Sequence, residues 1–239
     1  MSNPLLPITW DNSECYTLEA LHLETVRKDI ATELSLNRYS KPFRPDLLDG
    51  MYSMLLFIRP KLHTDSWRVV VDHSAEPFSL NSTIPREKSH VVLDNVHDLG
   101  IALWCNHTKH LNDQIILFKS NVSQAYRRLP MHPLWKIRQI VSFEGKRYVD
   151  QCDIWGNRDA GHIWCAFMGL VLWITREIKK IKDVFGYIND NFSWDFLGNL
   201  DIYEPYDAFM PEKQVRLLQL WDELGIPHNK KKQLYSSPL

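Results

Sequence analysis

Three groups of side chains in this 239-residue sequence have the types and spacing for chemistry. The first joins amide and carboxylate: Asn121 at the end of an apolar run, and Asn189-Asp190 between two apolar runs. A carboxylate is a charged oxygen ligand for hard divalent cations, whereas an amide oxygen is a neutral one. Taken alone, Asn-Asp is also ordinary turn chemistry, because both side chains hydrogen-bond their own backbone. The second group is Cys105-x-His107-x-x-His110, which could bind Zn²⁺ if Cys15, Cys152, or His162 with Cys165 supplied a fourth ligand. Its paired-ligand spacing is incomplete, and a solvated loop is the plain alternative. The third group is basic: Lys119, Arg127, Arg128, Lys136 and Arg138, then Lys179, Lys180 and Lys182, then Lys230–Lys232. These read equally as a nucleic-acid track or as ordinary solvated faces.

The elements that must position these groups follow from periodicity and breakers. Residues 18–34 read as a helix, with Pro42 and Pro45 as breakers, and residues 51–60 are apolar. Trp67–Asp72 is a β-branched strand, 79–88 a loop around Pro85, and 91–104 a helix. From 114 to 119 the chain reads as a buried strand, after which Ser123 is expected to cap a short helix ending before Pro130. Residues 137–143 and 146–152 form a hairpin through Glu144-Gly145, and 158–180 is a long apolar helix. A second hairpin joins 184–188 to 192–197, with Asn189-Asp190-Asn191 at its tip. A last helix spans 211–224, with Pro at its start and Gly225 at its stop.

Composition sets the class: 44% apolar residues supply a core and 24% charged residues a surface. No apolar run is long enough for a membrane span and no signal segment opens the chain, so an intracellular protein without a membrane partner is expected. Four irregularly spaced cysteines agree with reduced thiols, and the sequons at Asn81, Asn106, Asn121 and Asn191 are then chance matches. A net charge of −1 confines any phosphate-binding surface to local patches.

Five ordered segments carry a family resemblance over roughly residues 50–235. They are Trp67-Arg68 to Asp72 with Leu80-Asn81; Asn121-Val122-Ser123-Gln124-Ala125-Tyr126-Arg127 through Pro133; Trp155-Gly156-Asn157-Arg158; Tyr187-Ile188-Asn189-Asp190; and Leu224-Gly225-Ile226-Pro227 through Lys232. Together they resemble the fingers and palm of a reverse transcriptase, most similar to fungal retroelements of the DIRS-like, tyrosine-recombinase type. The resemblance implies an α+β fold with an antiparallel palm sheet backed by helices, an N-terminal extension over 1–50, a fingers-like region over 51–113 and a palm-like region over 114–239, forming one continuous polymerase-type unit. It implies RNA-directed DNA polymerisation with Mg²⁺, a template–primer of RNA or DNA, and a deoxynucleotide. Arg68, Tyr126, Gly156, Arg158 and Lys232 fall at its nucleotide-binding positions, Tyr126 as the flat aromatic under the incoming sugar.

At the family's three metal-binding Asp positions stand Asn121, Asn189 and Asp190. Asn is nearly isosteric with Asp, so the fold is expected to survive while productive Mg²⁺ binding and polymerisation are lost or very weak. Rescue by Asp150, Asp153 or Asp195 requires that strand alternation aim one of them at the site. In the family, further segments including a thumb follow the last of these five segments; here Ser236-Ser237-Pro238-Leu239 follows, and the thumb is expected to be missing. Two functions result: a degenerate reverse-transcriptase domain from a retrotransposon, or a non-catalytic nucleic-acid- or protein-binding module built on the palm.

Overall fold

The computed structural model describes residues 8–13, 18–61 and 65–236; Cys15, Ser237, Pro238 and Leu239 lie outside them. Two compact units are discontinuous in sequence, one formed by residues up to His90 with Tyr126–Ala160, the other by Val91–Ala125 with Gly161 onward.

In the first unit, β1 (Trp10–Asp11), β2 (Tyr52–Ser53), β6 (Ile140–Phe143) and β7 (Lys146–Val149) form one sheet in that order. The β1/β2 and β2/β6 pairs are parallel, and β6/β7 is the antiparallel hairpin expected through Glu144-Gly145. Strands β3 (Leu55–Pro60) and β4 (Trp67–Asp72) pair antiparallel on their own, and helix α1 (Ala20–Ser35) packs against β4. The core is a cluster in which Val26 and Ile30 of α1 meet Leu56, Val71, Val141 and Tyr148. A four-residue helix, α3 (Pro133–Lys136), begins on a proline, where no backbone N–H is needed.

In the second unit, β5 (Ile115–Asn121), β8 (Phe185–Tyr187), β9 (Asp190–Phe196) and β12 (Leu234–Tyr235) form a wholly antiparallel sheet in the order β12-β5-β9-β8. Helix α5 (Glu212–Glu223), with Val215, Leu218 and Trp221 all buried, packs against β5 and β9. Helix α4 (Ala160–Trp173) continues as a π-turn over Ile174–Ile178 and stops at Lys180, whose φ is +54°. Helix α2 (Val96–His107) starts later than the sequence suggests because Asn95 caps it, accepting from His97 N at 2.7 Å while Asp98 accepts from Asn95 N.

Two sequence expectations need correction, and one element was not foreseen. Ser123 caps no helix: Gln124 sits at φ +54°, which breaks the turn, and only a 3₁₀ turn over Tyr126–Arg128 follows. The second hairpin turns on Ile188-Asn189, so Asp190 belongs to β9 rather than to the tip. A further hairpin, β10 (Leu200–Tyr203) with β11 (Ala208–Pro211), closes through a left-handed Asp207 in place of the Gly or Asn-Gly that signals such a turn.

Candidate functional site: a strand pair with a filled acid

Antiparallel pairing of β5 and β9 runs in register from Ile115↔Phe196 to Asn121↔Asp190, which sets the amide of one motif opposite the carboxylate of the other. On the far side β8 pairs Tyr187 with Asp190, so this acid stands in the middle of three strand ends. Val122 N donates to Asn189 O at 2.9 Å and closes the arrangement around the turn. The structure thereby gathers Asn121, Asn189 and Asp190 in one place. Ile188 bridges β8 and β9 at φ +54°, a strained backbone for a β-branched residue, and Trp164 Nε1 holds its carbonyl at 2.8 Å. At Gly186, on β8, a Cβ would come within 2.6 Å of Leu172 Cδ1, so the tip of that leucine would have to shift to admit a side chain.

The electrostatics of the acid are settled by two donors. Asn121 Nδ2 donates to Asp190 Oδ1 at 2.5 Å, and Lys119 Nζ lies 3.4 Å from Asp190 Oδ2. Residues two apart on a strand share a face, which is why Lys119 and Asn121 act on the same carboxylate. Both oxygens of Asp190 therefore already have a hydrogen-bond donor from the protein. A pair of Mg²⁺ ions would need several charged oxygens in near-octahedral array. The donor set here is one carboxylate, two neutral amides, one of which presents its NH₂ to the acid, and an ammonium. These residues do not fit a two-metal centre.

The neighbouring acids have other partners. Asp195 alternates onto the opposite face of β9 from Asp190 and is 1% exposed; it accepts from Lys213 N at 2.8 Å, near the start of α5, and from Asn199 Nδ2 at 3.2 Å. Asp150, fully buried in the first unit, takes both bonds of its ion pair from Arg127 Nη1, at 2.7 and 2.8 Å. Asp153 is buried beside it in sequence and accepts from Asn157 Nδ2 at 2.8 Å. Among the described residues no group of three or more His, Cys, Asp and Glu side chains is gathered as a metal would require. Cys105 is exposed with a free thiol, and His110 pairs with Asp113 at 3.1 Å.

Four of the expected nucleotide-binding residues lie in the first unit. Arg68 and Gly156 line one cleft of about 600 Å³, together with Trp155. Gly156 has φ +104°, a conformation that only glycine adopts without strain. Tyr126 is buried, its ring edge-on to Trp155 with centroids 4.2 Å apart. Arg158 is tied to the backbone carbonyl of Ile84. Lys232, in the second unit, is exposed on the 3₁₀ turn Lys230–Lys232.

Asn81, which the sequence placed in a resemblance segment without giving it a role, organises this loop. Asn81, 4% exposed, donates to Gly156 O at 2.7 Å and to Ser74 Oγ at 2.8 Å while accepting from Arg158 N at 2.7 Å. One side chain thus stitches the Leu80-Asn81 segment to the Gly156-Asn157-Arg158 segment. The basic groups are also less available than their sequence suggests. Arg127 is held by Glu33 and Asp150, Arg138 by the Phe78 carbonyl, and Lys179 by Glu223.

Comparison with solved structures places this architecture. A foamy viral protease-reverse transcriptase in complex with double-stranded DNA matches at a TM-score of 0.61 and 17% identity, covering 91% of this chain and 32% of the other. The foamy viral protein in complex with an RNA/DNA hybrid matches at 0.62 and 16%, covering 97% and 26%. The prototype foamy virus protease-reverse transcriptase CSH mutant matches at 0.62 and 15%, over the same shares of 97% and 26%. This chain has a reverse-transcriptase-like fold. It spans about a quarter to a third of the length of these relatives. No protein-family model and no curated protein sequence matches it. No helix among the described residues is long and apolar enough to cross a membrane.

Proposed function

We propose that this is a reverse-transcriptase-like domain whose fingers-and-palm architecture survives while its polymerase chemistry does not. The observation that carries the reading is the state of Asp190: an amide and an ammonium sit on its two oxygens, where a polymerase needs metal ions. In a two-metal mechanism the ions stabilise charge on the attacking and leaving oxygens, a term worth several kcal/mol. Without them the aligned substrates would gain only proximity. The motif order and the substitution of Asn at two of three acid positions suit descent from a retrotransposon, of the DIRS-like type that the sequence resembles.

The test is primer extension with Mg²⁺ and with Mn²⁺, run on this chain and on the double variant Asn121→Asp, Asn189→Asp. Mn²⁺ binding by electron paramagnetic resonance is measured in parallel. No extension and no ordered Mn²⁺ in the unmodified chain, with Mn²⁺ bound by the double variant, is the expected outcome. Extension by the unmodified chain would end the proposal.

A second reading is a binding module that keeps the surface and not the chemistry. It is favoured by the likeness to proteins solved with double-stranded DNA and with an RNA/DNA hybrid. Several basic side chains are paired within the protein, whereas Lys231 and Lys232 are exposed. Affinity for a template–primer should therefore be weak and fall steeply with salt, and no shift at low salt would remove this reading.

A further inference from the structure

We propose that the outward face of helix α4 is a docking surface for a second copy of this chain, the two helices packing antiparallel across a two-fold axis. The helix is apolar all round, with His162 as its one polar residue. Trp164, Met168 and Val171 are buried on its inner side. On its outer side Ile163, Ala166, Phe167, Leu170 and Trp173 recur at intervals of three and four and so form one stripe, with Ile178 exposed on the π-turn beyond it. The five large side chains of this set are 36–60% exposed. Helix α5 of the same unit shows what a solvent face looks like here: it turns Gln219, Asp222 and Glu223 outward. A helix that is apolar on every side is the kind that ends up covered.

The composition of the stripe fits a second copy as its occupant. Gly169 lies mid-helix on the outer face, although glycine is the poorest helix former after proline. Nothing within the chain requires it there: a Cβ would meet no atom within 4 Å, and its φ is not in the left-handed region. An open position without a side chain lets another helix axis come close. A two-fold axis midway between Gly169 and Leu170 sets Gly169 against the partner's Leu170, Ala166 against the partner's Trp173 and His162 against the partner's Glu177, each pair occurring twice. Small residues thus meet large ones, and an imidazole N–H meets a carboxylate whose own ion pair, to Lys180, is long at 3.9 Å. The two helix dipoles run opposed, which is favourable. The area agrees. Half-exposed large side chains present on the order of 100 Å² each, so two copies would bury about 1,000 Å² in all, the lower end for a specific interface and the range of weak, reversible pairs. An anionic lipid surface is the poorer occupant, because an acid, Glu177, continues the stripe.

Sedimentation velocity of the full chain over about 1 to 300 µM reads the association. An equilibrium between monomer and dimer with a dissociation constant of about 10–100 µM is expected. Leu170→Glu, which brings two like charges to the axis, should weaken it more than about tenfold. Gly169→Leu separates interface from fold. It should weaken the dimer comparably while leaving the urea midpoint of dilute protein unchanged or higher, because the monomer has room for the side chain and leucine favours a helix. His162→Glu and Glu177→Lys should each weaken the dimer several-fold, and the two together should restore it to within about twofold, as an antiparallel pairing in this register requires. Circular dichroism establishes that each variant is folded. A wild type that stays monomeric throughout, a dimer indifferent to Leu170→Glu and Gly169→Leu, failure of the double exchange to recover affinity, or flotation of the monomer with phosphatidylcholine and phosphatidylserine vesicles in place of self-association would each overturn the inference.

Discussion

Replacing Asn121 by Asp alone should make the protein less stable, although it installs the carboxylate that the proposed polymerase ancestry would call for. The amide donates to Asp190 Oδ1 at 2.5 Å, so the substitution removes one hydrogen bond to a charged group, about 1.5–3 kcal/mol. It also sets two carboxylates side by side. Unit charges about 4 Å apart interact by about 4 kcal/mol at an effective dielectric of about 20. That repulsion is reduced because the Asp190 side chain is 28% exposed and because Lys119 lies 3.4 Å away. A net loss of about 2–4 kcal/mol at pH 8 follows. Two acids this close share a proton, so the folded state raises the pair's upper titration above the ordinary carboxylate range. The folded protein then binds a proton that the unfolded chain has released, and stability falls as pH rises through that titration. The deficit should therefore be small near pH 4 and largest at pH 8. Divalent ions should shrink it at pH 8, since they supply the missing positive charge. Urea unfolding of wild type and variant at pH 4.5, 6 and 8, with and without Mn²⁺, measures all three trends. If Asn121→Asp were as stable as wild type at pH 8 without metal, the amide would not be what holds Asp190, and the account of the filled site would fail.

Other substitutions probe the first unit. Asn81→Ala removes three hydrogen bonds from a buried position and should cost about 2–3 kcal/mol, with faster proteolytic nicking at 156–158 as the local readout. Gly156→Ala meets no close atom, since His73 Cδ2 and Val71 O would be 3.6 Å from the new Cβ; the cost of about 1–2 kcal/mol should come from φ +104° alone and appear as a lower urea midpoint. His73, neutral in the fold with its titration lowered to about 4, should cost stability as pH falls: the unfolded chain takes up a proton below about 6.5 that the folded one refuses. His73→Leu should therefore lose less stability between pH 7 and pH 4.5 than wild type does, and parallel acid curves would contradict the burial of a neutral imidazole.

Much of the local structure was legible before any coordinates. The β-branched run Trp67–Asp72 is a strand with those limits, and the buried strand expected over 114–119 is β5, which runs Ile115–Asn121. Glu144-Gly145 turns a hairpin, and the proline and glycine around 211–225 bracket a helix. These signals are local: a side chain's period, a missing N–H and a permitted φ act within a few residues. What escaped notice was equally consistent. The β10–β11 hairpin lacks a glycine signal, and the turn at Ile188 uses a residue that rarely takes positive φ. Arg127 and Lys119, which read equally as part of a nucleic-acid track or of solvated faces, are paired with Asp150 and Asp190.

The sequence by itself determined that amides stand at Asn121 and Asn189 and a carboxylate at Asp190, because residue types are written in it. Only the tertiary structure decided which groups they meet. The partner of a charged group is chosen by strand register and helix packing between residues far apart in the chain. Thus Asn121 reaches Asp190 across 69 positions, and Glu33 reaches Arg127 across 94. Coulomb and hydrogen-bond energies depend on distances of a few ångströms, and those distances are fixed by the folded core rather than by any local pattern.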